Sequence, residues 1–435
     1  MFTSFSLSGT WEMDYAKDAY LDSAVPSVKW EPVKNAVPGY WEDMTESFLM
    51  APFFCKLEIN PLYGLQQYPI SGVVPDMALP NILGNFFYRR TFSCENIQKD
   101  ATIHFEGVQN AVSVWINGIF LGRHEGYSAP FEVAIPDGLL KDGENEIILS
   151  ISNHRLLGYG GEPVSGLTSR AANECTGGIT GEVTLRVYTS PLRDAAVLIS
   201  EDCKTANVQI TAVSETEYNW SVLDGETTLK TGRANGDFSF DTEGLEFWSP
   251  ESPKLYTLCI SCEGGLLERQ FGVRKLTAHG TDFRLNGVPY YLRGICEHCY
   301  FPETVHPNHD ISYYREMIKT FKKLGFNFIR FHTFIPHEEY MQAADELGIL
   351  LHVETPNNTS EAEGKEIVTF CRRHTSVVIY CGGNELYVDE EYIEHFRRCA
   401  ADVHARTDSL FSPMNAIRGF EYVFPPEWVE ESCLS

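Results

Sequence analysis

A chain of 435 residues is longer than one ordinary hydrophobic core supports, so about two to four domains are expected. Apolar residues at 43% and charged residues at 22% match globular averages and exclude a disordered or collagen-like chain. Against 60 acidic residues stand 34 basic ones, and the resulting charge of −26 repels phosphate backbones and excludes nucleic acid as a partner. No apolar run approaches the roughly 18 residues of a membrane helix, so no membrane association is expected. Met1 to Asp14 lack the basic start and apolar stretch of a secretory signal, and the 12 cysteines are thinly spread, as reduced thiols are. A cytoplasmic protein is the expectation.

From the start to about Ser190 the pattern is all-β. Between Ala101 and Asn153 it is clearest. Residues 101–106 and 111–116 alternate faces, Asn117-Gly118 supplies a tight hairpin turn, and 119–123 return. Turns at Pro136-Asp137-Gly138 and Lys141-Asp142-Gly143 lead into another period-two strand from Glu146. The reading is a β-sandwich over residues 1–190. A second, smaller β segment covers 191–276, where Ala206–Val213 and Tyr218–Leu223 have the strand spacing of an immunoglobulin-like sandwich. Pro250 and Pro253 precede its strand at Leu255, where neither removes a ladder hydrogen bond.

After about Thr277 the period changes. A short strand is expected at 290–295, and Met317, Ile318, Phe321 and Leu324 give 312–324 a helical spacing that Gly325 ends. Strands follow at 326–331, 349–354 and 376–382, helices at 336–347, 365–374 and 390–406, and a fifth strand within 410–423. Strict strand–helix alternation predicts a parallel sheet with crossover helices, open or closed into a barrel, over 277–435. Two Cys-x-x-Cys pairs, Cys259/Cys262 and Cys296/Cys299, stand too far apart for the usual zinc knuckle, and the first lies in an apolar strand, so both are read as packed thiols.

Several stretches, in order, carry a family resemblance: Val114 to Phe131, Phe247-Trp248-Ser249-Pro250 to Tyr256, Phe271 to Arg274, Phe283 to Pro289, Leu292 to Ile295, Asn327 to Arg330, Ala344 to Ile349 and Gly383-Asn384-Glu385. Together they resemble glycoside hydrolase family 2, the β-galactosidase, β-glucuronidase and β-mannosidase family. The resemblance implies a multidomain fold: a jelly-roll sugar-binding β-sandwich, an immunoglobulin-like β-sandwich and a partial (β/α)8 TIM barrel. It also implies a carbohydrate substrate and hydrolysis of β-linked glycosides with retention. The alternative is a carbohydrate-binding chain without catalysis.

Glu385 follows an apolar strand and Gly382-Gly383, which puts it at the strand's carboxyl end, the face on which barrel enzymes hold their sites. Glycoside hydrolysis needs a carboxylic acid kept protonated, and a partly apolar pocket raises a carboxyl pKa toward that state, so Glu385 is the candidate acid/base. The other reading is a helix cap. Asn384 can bond a sugar hydroxyl next to the reacting carbon. Arg330 corresponds in the resemblance to an arginine that orients the nucleophilic carboxylate, and otherwise pairs with a neighbouring barrel carboxylate. His332 resembles a sugar-contacting histidine, although the stretch before Pro336 is one residue longer than the common pattern. His352 and Glu354 share one face at the end of the third strand and are further candidates. Cys296 to Tyr300 replaces a histidine-rich loop, and the divalent-ion ligands of some family members are absent, so neither metal nor cofactor is expected. Eight strand–helix units take about 250 residues, more than 277–435 offers. The nucleophile, which the resemblance puts on a seventh strand, is therefore expected outside this chain, and an unpaired sheet edge predicts a homo-oligomer. Sugar specificity is expected in loops after later strands, largely absent here, and near Gly158 to Gly178, a stretch that borders the pocket or, as its glycine content favours, is a flexible connector.

Overall fold

A computed structural model of the chain describes residues 2–41, 82–95, 97, 100–153, 177–299, 301, 307–357, 359–386 and 390–415, with short strand segments at 58–59, 65–67 and 78–80. It is mostly β-sheet with few helices and divides into two compact units, residues 2–189 and 190–435.

The first unit holds β1 (Phe2–Ser6), β2 (Gly9–Ala16), β3 (Glu31–Val37), β4 (Asn85–Cys94), β5 (Ala101–Phe105), β6 (Ala111–Ile116), β7 (Ile119–Glu125), β8 (Phe131–Ile135), β9 (Gly143–Ser152) and β10 (Val183–Tyr188). They form a four-stranded antiparallel sheet, β1-β10-β5-β8, and a six-stranded one, β7-β6-β9-β4-β2-β3. One core joins them, with Trp11, Phe86 and Tyr88 from one sheet and Ile103, Phe105 and Leu185 from the other. Asn117 and Gly118 close the β6–β7 hairpin with positive φ at both positions (49° and 80°), the geometry of a tight primed turn. The alternation expected of β6 is absent, since all six of its residues are buried. Trp115, on the face away from the core, is covered by Tyr20, and its indole N–H donates to the Ser23 carbonyl at 2.7 Å.

In the second unit, β11 (Leu192–Ile199), β12 (Thr205–Ala212), β13 (Tyr218–Asp224), β14 (Thr227–Ala234), β15 (Phe238–Asp241), β16 (Tyr256–Cys262) and β17 (Gly265–Phe271) form sheets β11-β12-β15 and β14-β13-β16-β17 around Tyr218, Val222, Leu258 and Phe271. A small antiparallel sheet of β18 (Leu276–His279), β19 (Asp282–Leu285) and β20 (Val288–Pro289) follows. Residues 290–292 continue from it instead of starting the parallel sheet: the Tyr290 N–H donates to Phe283 O at 2.9 Å.

The parallel sheet has the order β21 (Gly294–Glu297), β22 (Phe328–Phe331), β23 (Leu350–Glu354), β24 (Val377–Cys381), β25 (Leu410–Ser412). Between the strands run α1 (Ile311–Lys323), α2 (Glu338–Leu347), α3 (Glu361–Cys371) and α4 (Glu390–Arg406). Asp310 caps α1 by accepting from Ser312 N at 2.9 Å, and α2 ends on Gly348 in the left-handed conformation. Register pairs Cys296 with Arg330, Arg330 with His352, and Glu354 with Cys381, so these residues share one face of the sheet. Lower on that face Leu350 and Ile379 pack with Trp248, Leu276 and Leu285. This face is therefore apolar at its base and polar at the carboxyl ends of the strands.

Candidate active site

Arg330 is the centre of the polar end. Its guanidinium makes a forked pair with the fully buried Glu354 carboxylate, Nε to Oε2 at 3.1 Å and Nη2 to Oε2 at 2.9 Å. The same Nη2 donates to Asn384 Oδ1 at 2.7 Å, so one arginine holds the ends of two strands together. Thr333 N donates to Glu354 Oε1 at 2.8 Å from the turn after β22. Of the two sequence readings for Arg330, the structure shows the ion pair to a neighbouring carboxylate.

Asn415 went unnoticed in the sequence. Its amide donates to Glu354, lies 3.3 Å from His352 Nε2 and donates to Cys381 Sγ at 3.2 Å. His352, Glu354 and Cys381 offer ligand atoms within 4.8 Å of one another. They do not suit a cation, because the Asn415 amide already donates to this trio and the Arg330 charge lies against Glu354. Asn357 was missed as well: its Oδ1 accepts from Asn384 N and its Nδ2 donates to Asn384 O, each at 3.0 Å. The only signal for either asparagine was its position, three residues past the end of a strand.

Burial dominates the electrostatics. The Glu354 carboxyl is pushed above its ordinary range by burial, which outweighs Asn415, Arg330 and the Thr333 N–H. His352 is pushed down to about 3 by burial and then by Arg330, so it stays neutral at pH 7. His332 is lowered by burial and by Arg330 against the opposing pull of Glu385, and its ring stacks on His298 with centroids 4.7 Å apart.

Arg330, Asn384, Glu354 and, through Asn415, His352 thus converge, while His332 and Glu385 stand at the rim. The expected burial of Glu385 is not found: its side chain is exposed among the described residues. What is fixed is its backbone. Glu385 has φ of 50°, donates its N–H to Asn415 O at 2.9 Å, and follows Gly383 at φ 146°. The strand ends at Cys381, and the three-residue step after it turns the carboxylate outward. A Cβ at Gly382 would lie 2.6 Å from Pro413 O, so only glycine fits there. Most of Gly158 to Gly178, and everything beyond Asn415, lie outside the described residues. Cys259 faces Glu268 and Cys262 faces Ser190, whereas Cys296 lies near Arg330, so the two Cys-x-x-Cys pairs have separate surroundings.

Residues 5–159 match the family described as "Glycosyl hydrolases family 2, sugar binding domain". A β-galactosidase of Staphylococcus xylosus is 25% identical over 81% of this chain and 34% of its own length. A putative β-glucuronidase of Formosa agariphila is 25% identical over 69% of this chain and 40% of its own. Among solved structures, the Faecalibacterium prausnitzii β-glucuronidase superposes with a TM-score of 0.71 at 19% identity, covering 95% of this chain and 73% of that one. Residues 5–159 thus match the sugar-binding domain of glycoside hydrolase family 2, and the chain is similar in sequence to β-galactosidases and β-glucuronidases. It spans about a third to two fifths of the length of these curated relatives.

Proposed function

We propose that the chain serves hydrolysis of β-linked glycosides with retention, as the catalytic acid/base half of the site. Its domains are read as a jelly-roll sugar-binding sandwich (1–190), an immunoglobulin-like sandwich (191–276) and part of a (β/α)8 barrel (277–435). Glu385 hands a proton to the leaving oxygen and then takes one from the incoming water. Asn384, with its Oδ1 held by Arg330, presents its amide N–H groups to a sugar hydroxyl. Glu354 and His352 hold Arg330 and the strand ends in place, and His332 meets the sugar at the rim. The nucleophilic carboxylate comes from outside the described residues, since Glu354, on the same face, is spent on Arg330.

One observation carries this reading: Asn357 and Asn415 lock the peptide that leads into Glu385, which fixes this exposed residue at the carboxyl end of the parallel strands beside the Arg330 cluster. The relatives' printed names make galactosides, glucuronides and mannosides the sugars to try. We further read the protein as cytoplasmic, as no disulfide joins the described cysteines. Among the described residues no helix is long and apolar enough to cross a membrane. The test is release of nitrophenol from these three β-glycosides. Glu385→Gln is expected to lower turnover by about 10²–10⁴-fold. Sugar binding without turnover, even when the missing nucleophile-bearing part of the barrel is supplied, would leave a carbohydrate-binding chain instead, and turnover unchanged in Glu385→Gln would remove this residue from the chemistry.

A further inference from the structure

Two histidines and a glutamate meet where the first two helices of the strand–helix unit begin. His309 directly precedes Asp310, the N-cap of α1; His337 is the N-cap of α2; Glu339 lies in the first turn of α2. Their ligand atoms lie within 4.8 Å of one another, and His309 Nδ1 is 3.5 Å from Glu339 Oε1. Zn–N and Zn–O bonds of roughly 2.0–2.2 Å at tetrahedral angles separate two ligand atoms by about 3.4 Å, so one edge of such a polyhedron is nearly formed. The remaining contraction is within reach of side-chain rotation.

A second observation concerns His337. A residue at an N-cap ordinarily accepts from the helix N–H groups, yet the His337 side chain makes no capping bond. Its ring lies parallel to Phe334 (9°, centroids 6.2 Å apart) and 4.9 Å from the His309 ring. The imidazole is thus turned toward His309 and held by an aromatic neighbour. The two helix starts are themselves fixed: Tyr314 stacks on Tyr340 at 4.5 Å, and Arg315 pairs with Glu346. Two imidazoles and one carboxylate are a donor set for a borderline divalent ion, and a fourth position stays open to water. A cation at a helix N-terminus is disfavoured by the helix dipole, a small effect beside three coordination bonds and set against a chain charge of −26.

We propose that His309, His337 and Glu339 bind one divalent transition-metal ion of zinc type, which ties the connection after β21 to the connection after β22. Both connections lie at the carboxyl ends of the strands, the same end as Arg330, and the site shares no residue with the cluster around Asn415. Coordination needs no chemistry at Glu385, so it stands or falls apart from the proposed activity.

The test uses the purified full chain freed of metal. Calorimetric titration with zinc chloride is expected to show one ion bound per chain with micromolar affinity or better. Binding is expected to weaken at least tenfold in His309→Ala and in Glu339→Gln. Cobalt(II) is expected to give the visible absorption of a nitrogen- and oxygen-ligated ion without a thiolate charge-transfer band. Zinc should raise the thermal midpoint of the parent chain but not of the double variant. No binding at millimolar zinc, or a thiolate band with titrations unchanged in His309→Ala, would overturn the proposal. His309 is exposed, so its variant folds and the comparison stays readable.

Discussion

Glu354 and Asp194 are both buried carboxylates bound to arginine, and they behave in opposite ways. Asp194, at the start of β11, faces three guanidiniums: Arg269 at 2.6 Å, Arg372 at 3.4 Å and Arg373 at 3.5 Å. Burial pushes its carboxyl up, but Arg373, Arg269 and Arg372 together hold it below the ordinary range. Glu354 has one arginine, and burial wins. The first carboxylate is over-compensated and knits a β-sheet to the end of α3. The second is under-compensated and stands at the carboxyl ends of the parallel strands. Burial of charge alone therefore does not mark a functional site; the balance of counter-charges around it does.

The sharpest way to break this contrast is Asp194→Ala, which takes the shared carboxylate away from three arginines. A loss of about 3–5 kcal/mol in urea unfolding is expected, with any activity of the folded fraction kept. A loss below about 1 kcal/mol would show that the arginines are solvated elsewhere. Glu354→Gln should do the reverse. Its ionised form is a net burden to the fold, so stability should change by no more than about 1–2 kcal/mol, while the proposed glycoside hydrolysis is expected to fall at least tenfold because Arg330 and Asn384 lose their anchor. A third experiment uses pH. His374 donates to or accepts from Asp345 at 2.8 Å and Glu338 at 3.3 Å. Although burial lowers it, Asp345 and Glu338 raise its pKa to about 9. A raised histidine stabilises fully below its unfolded value near 6.5, and that contribution is lost as pH climbs from there to about 9. The thermal midpoint of the parent chain should fall over that window, and in His374→Gln the fall should flatten. The smallest effect belongs to Arg315→Ala, which removes a half-exposed pair with Glu346 and should cost below about 1 kcal/mol.

Much of the strand–helix unit was legible because its signals are local. Gly325 and Gly348 stop helices, and apolar runs at 350–354 and 377–381 are strands buried on both faces. The bounds of α4 were read without error, whereas α3 starts four residues earlier than its apolar spacing indicated because Ser360 caps it. The strand at 290–295 was misplaced because Tyr290 and Leu292 are apolar for a different reason: they pack with the small sheet below. In the site, Arg330, Glu354, His352 and Asn384 could be found from strand-end position and side-chain chemistry. Asn357 and Asn415 could not, since an asparagine just past a strand reads as an ordinary turn residue. Nor could the exposure of Glu385, which is decided by backbone angles and by contacts to a strand some thirty residues later.

The left-handed backbone at Glu385 has a consequence for how this chain can change. Any L-residue there bears strain of about 1 kcal/mol, which a glycine would relieve. A glycine at position 385 would thus make the molecule sturdier and remove the proposed acid.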